Sequence, residues 1–112
     1  MIAFAEHQFS LDRRDENGVT EREHLQALSE RRGQTHPDLI GPPLPPAGAY
    51  LWRYFIELDA ARGGTGFGPS PIGYQDILAW ARLTGRRPLP WEVGVLMALD
   101  RACLAALAKG KG

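Results

Sequence analysis

The side chains able to do chemistry are three histidines, one cysteine and 13 carboxylates among 112 residues. His7, His24 and His36 stand in three different segments, and no two are four apart on one helix. A metal site would have to gather them from separated stretches of chain. They read as ordinary surface histidines, and no metal is expected. Cys103 lies in an apolar stripe, where a thiol behaves as a small, inert hydrophobe. Glu57, Asp59, Asp76, Glu92 and Asp100 show no paired spacing that suits acid–base work. Asp76 and Glu92 fall in first turns, where a carboxylate complements the helix dipole. Asp100 and Arg101 fall mid-helix, where they can anchor a hydrogen bond to another helix. Asp59 and Arg62, three apart, suit a surface pair. The glycine-rich stretch Gly63 to Pro71 lacks the lysine that a phosphate-binding loop needs, and a helix rather than a strand precedes it. No catalytic constellation remains, so the chain is expected to be no enzyme, with no cofactor and no small-molecule substrate.

Composition narrows the class further. Thirteen basic and 13 acidic residues cancel, which excludes a strongly basic nucleic-acid binder and an acidic solvating tail. Residues 1–36 hold five arginines against seven acids, a net of −2; residues 37–112 hold eight bases against six acids, a net of +2. That asymmetry implies no partner. One cysteine cannot form an internal disulfide. The apolar start is broken at Glu6 and His7, unlike a secretory signal. No run approaches the roughly 20 apolar residues that span a bilayer. A soluble, cytoplasmic protein without a membrane partner is expected.

The elements that must position these residues are helical. Residues 3–11 read equally as a short strand or an irregular arm. Asn17-Gly18 marks a tight reversal. Thr20 with Glu23 forms a capping box, and a thinly apolar helix follows from Glu21 to Arg32, closed by Gly33. Five prolines between Gln34 and Ala49 favour a semi-rigid, extended linker. Tyr50 to Arg62 is a second helix, its apolar face Tyr50, Leu51, Tyr54, Phe55, Leu58 and Ala61. A third starts at Ser70 or Gly73 and runs to about Leu83, with Tyr74, Ile77, Leu78 and Ala81 inward and Trp80 at the edge. Gly85 and Pro88 stop it. Pro90 opens a fourth, Trp91 to about Ala108, striped by Trp91, Val95, Leu99, Ala102 and Ala106. The expectation is an all-α, small four-helix domain. A three-helix core forms after residue 48, beside an N-terminal arm and helix. The divisions are 1–36, a 37–49 linker, a 50–108 helical domain and a 109–112 tail.

Arg82, Arg86 and Arg87 form the basic cluster. A helix-turn-helix reading fails on two counts. The connector Gly85 to Pro90 holds two prolines, and the last helix carries Arg101 as its one basic residue before the tail. Aromatic groups, many for three short helices, are the remaining signal. Most belong in a core; a wide apolar face also suits contact with another chain.

Residues 70–105 are more specific. Pro71 to Tyr74, the turn Trp80-Ala81-Arg82-Leu83-Thr84-Gly85, Pro90-Trp91-Glu92 and Leu99-Asp100-Arg101 resemble the tail assembly chaperones of long-tailed bacteriophages and prophages. The upstream Leu51-Trp52-Arg53-Tyr54-Phe55 helix and the glycine loop look similar too. The resemblance implies a non-enzymatic protein in the cytoplasm of the bacterial host. Such a protein binds the tape measure protein and helps recruit tail tube subunits. Trp52, Phe55, Trp80 and Trp91 would then be the most consequential side chains. Arg82, Arg86 and Arg87 would make polar contacts to the partner. A structural tail or connector component of the virion is the alternative, and a small DNA-binding regulator a third reading.

Overall fold

The first helix is one the sequence leaves undecided. Residues 2–11 form α1 (Ile2–Leu11), rather than a strand or an irregular arm. Its large apolar side chains are scattered around the helix, and no side chain caps its N-terminus, so neither periodicity nor a cap advertises it. Packing supplies the stability instead. Ala5 is completely buried, and Phe4 and Phe9 meet Trp52 with ring centroids 5.1 and 5.7 Å apart.

In this computed structural model, which describes residues 1–65 and 68–109, four further α-helices follow. They are α2 (Glu21–Arg32), α3 (Ala49–Ala60), α4 (Tyr74–Thr84) and α5 (Pro90–Lys109). The all-α class is therefore the one formed. Gly66 and Phe67 of the glycine loop, and residues 110–112 of the expected tail, lie outside the described residues.

Local chemistry sets the helix boundaries. The Thr20 hydroxyl caps α2, accepting from the Glu23 amide at 3.1 Å; the Glu23 carboxylate accepts from that hydroxyl at 3.2 Å, rather than from the Thr20 amide that the full capping box would use. Gly33 and Gly85 close α2 and α4 with φ of 68° and 73°, a left-handed conformation that glycine adopts without strain. The Gly73 amide donates to Asp76 at 2.8 Å and fixes the start of α4. The proline-rich stretch is not uniformly extended. It contains two single 3-10 turns, Pro37–Leu39 and Pro46–Gly48. The glycine loop carries a two-residue antiparallel ladder, β1 (Gly64–Thr65) with β2 (Gly68–Pro69), where the sequence shows no convincing strand pair.

The core joins Phe55 and Leu58 of α3, Ile77 and Trp80 of α4, and Leu96, Leu99 and Cys103 of α5, with Ile72 from the connector. The three helices after residue 48 meet here, and α1 adds Ala5. Two faces differ from the sequence reading. Tyr74 and Leu78, read as inward, are 72% and 56% exposed, and Ile77 and Trp80 face in. On α5, Leu99 and Ala106 of the expected stripe are buried, but Trp91 stands 57% exposed, and Glu92, Leu96 and Cys103 are buried beside them. Glu92 reaches back to the Leu89 amide at 2.6 Å, and this cap turns that side of the first turn inward.

Candidate partner-binding groove

The polar groups inside the molecule hold it together. The Asp59–Arg62 pair forms, but not as the surface pair expected from its spacing: the Arg62 side chain is only 7% exposed. It lies 2.9 Å from Asp59 and 2.5 Å from Asp100, while Nη1 donates to the Ser70 carbonyl at 3.0 Å. Burial disfavours the Arg62 charge, but the carboxylates of Asp100 and Asp59 outweigh it and the pKa is raised. The other Asp100 oxygen accepts from the Ile72 amide at 3.0 Å. Arg62 and Ile72, on either side of the glycine loop, are thereby both tied to α5. The sequence hinted at this only by placing an aspartate in an apolar helix.

Cys103 is buried, and that burial pushes its thiol up to about 11, which suppresses thiolate at neutral pH. The histidines take up chain contacts. His7 Nε2 donates to the Asp38 carbonyl at 2.8 Å, His24 lies 2.7 Å from Asp15, and His36 Nδ1 accepts from the Asp38 amide at 3.1 Å. Among the described residues, no three His, Cys, Asp or Glu side chains cluster to hold a metal. Among those residues, too, no helix is long and apolar enough to cross a membrane.

The site residues named from the sequence divide into three sets. Phe55 is completely buried and Trp80 nearly so. Trp52 is half-buried, stacked on Phe55 with centroids 5.8 Å apart. Arg86 forms a second set, a latch between α3 and the α4–α5 connector. Its guanidinium lies 3.3 Å from Glu57 and 5.0 Å from the Tyr54 ring centroid, and Trp80 Nε1 donates to the same Glu57 at 3.4 Å. Arg82, Arg87 and Trp91 are exposed. Arg82 and Arg87 have no ion-pair partner among the described residues.

Arg82, Arg86 and Arg87 come together on the rim of one groove of about 600 Å³ between α4 and the start of α5. Its apolar lining includes Tyr74, Leu78, Ala81 and Val93. Trp91 is not part of that lining. Tyr74 and Leu78 share helical spacing with Ile77 and Ala81, which is why they read as core in the sequence. Two adjacent apolar stripes on one helix cannot be told apart without knowing which one is covered.

A family model described as phage tail assembly chaperone matches residues 28–105. The match spans α3, α4 and the larger part of α5, the groove included, and leaves α1 outside. The chain belongs to the phage tail assembly chaperone family. Its work therefore falls in the host cell during phage assembly. No curated protein and no solved structure shows a significant similarity to it.

Proposed function

We propose that this protein acts as a non-catalytic chaperone in the bacterial cytoplasm, binding the tape measure protein and helping to recruit tail tube subunits during tail assembly. The observation that carries the reading is the open face of α4. Tyr74 and Leu78 are well exposed beside Arg82 and Arg87, which have no ion-pair partner among the described residues, within the stretch matched by the family. An apolar face left open on a small helical domain suits transient cover of an aggregation-prone, helical client.

The test is co-expression with the tape measure protein of the same phage, then affinity purification and light scattering. The reading predicts a soluble complex of defined stoichiometry that also retains tail tube protein when this is supplied. An insoluble client beside free chaperone would overturn it. Purified virions should lack the chain by mass spectrometry; stoichiometric presence there would favour a virion component.

A further inference from the structure

We propose that the α4–α5 groove takes one partner, an amphipathic helix whose apolar stripe is bordered by acidic residues. This rests on the chaperone reading and adds the chemistry of the bound segment. Tyr74, Leu78 and Ala81 follow helical spacing along a single face, with Val93 of α5 as the facing wall. A ridge of this kind receives the ridges of another helix. The 11 residues of α4 span about 16 Å at ~1.5 Å per residue, room for about three turns of an occupant.

Charge selects among such helices. Three guanidiniums stand on the rim against one neighbouring carboxylate, Glu57, which already serves Arg86. Glu92, the nearest acid on α5, is occupied by the Leu89 amide and the Tyr50 hydroxyl. Asp76 on α4 is occupied by the Gly73 amide. Arg82 and Arg87 thus present uncompensated positive charge beside an apolar floor. Carboxylates flanking a hydrophobic stripe complement both features at once. The apolar floor disfavours a nucleic acid, whose backbone has no use for Tyr74 and Leu78.

The probe is a synthetic helical peptide of about 14 residues with leucines at i, i+3, i+4 and i+7 and glutamates on both flanks. The control carries lysines in place of the glutamates. Binding to the full chain is measured by fluorescence anisotropy at low and moderate salt. The glutamate peptide should bind roughly tenfold tighter than the lysine peptide, and the advantage should shrink as salt rises. Arg82→Glu/Arg87→Glu should reverse the preference, and Leu78→Glu should abolish binding of both peptides. Each variant is first shown by circular dichroism and melting to fold as the parent does. Equal affinity for the two peptides, or none for either, overturns the proposal. So does preferential binding of a DNA oligonucleotide. Self-association of the free chain that Leu78→Glu removes would assign the groove to a second copy. Should the wild-type chain and Arg82→Glu/Arg87→Glu carry the tape measure protein equally well, the groove proposal falls and the chaperone reading stands. Should the wild type carry none, the chaperone reading itself falls.

Discussion

Two sets of arginines in this molecule are used in opposite ways. Arg62 is enclosed, set between Asp59 and Asp100 and donating to the Ser70 carbonyl. Arg82 and Arg87 stand in solvent at the mouth of an apolar groove with no ion-pair partner among the described residues. Arg86 sits between the extremes, half exposed and latched to Glu57. The comparison separates what folds the chain from what the chain offers. A buried guanidinium depends on its carboxylates, because losing one leaves an uncompensated charge in a poorly solvated place. An exposed guanidinium costs the fold little to change, so its placement over an apolar floor points to a second molecule.

The largest effect should come from breaking the enclosed set. Asp100→Ala removes the Arg62 partner and the Ile72 acceptor together. It should destabilise the protein by about 3–5 kcal/mol in urea denaturation, with Asp100→Asn milder because it keeps an acceptor. A comparable loss should follow Phe55→Ala, by about 3–5 kcal/mol, since that ring is completely buried and meets both Phe9 and Trp52. Equal stability of Asp100→Ala and the parent would show that the clasp contributes nothing to the fold.

The next step down is capping. Thr20→Ala should cost about 1 kcal/mol, read from the same denaturation curves. Its outcome bears on how much of the molecule the sequence displays. The Thr20 cap, the glycine stops at Gly33 and Gly85 and the apolar face of α3 through Leu58 are local patterns, and each forms as read, while Ala61, counted on that face, lies exposed past the end of the helix. The helix α1 was hidden because Phe4, Ala5 and Phe9 acquire a common purpose only against α3 and α5. The groove was half legible. Its arginines stand out as a cluster, but its floor does not, since Tyr74 and Leu78 look like core until Ile77 and Trp80 are seen to fill that role. The Arg62–Asp100 clasp joins residues far apart in the chain, which no local spacing reveals.

A smaller, pH-dependent effect concerns Cys103. Its folded thiol titrates near 11, above the ordinary value of 9.0. The stability tied to the neutral buried thiol is fully present below about pH 9 and is lost as pH rises toward 11. Reaction with a thiol reagent at pH 8 should accordingly be slow in the native protein and fast in urea. Rapid native labelling would contradict the burial. Least of all should Arg82→Glu/Arg87→Glu disturb the fold, shifting stability by no more than about 0.5 kcal/mol.

The central claim is that the face of α4 carrying Tyr74 and Leu78 serves binding, while the face carrying Ile77 and Trp80 serves folding. The most direct measurement pairs the melting of Leu78→Glu with its co-purification of the tape measure protein. The account predicts a parent-like melting transition and loss of the client. A variant that melts as the parent does and still carries the client in full would contradict it.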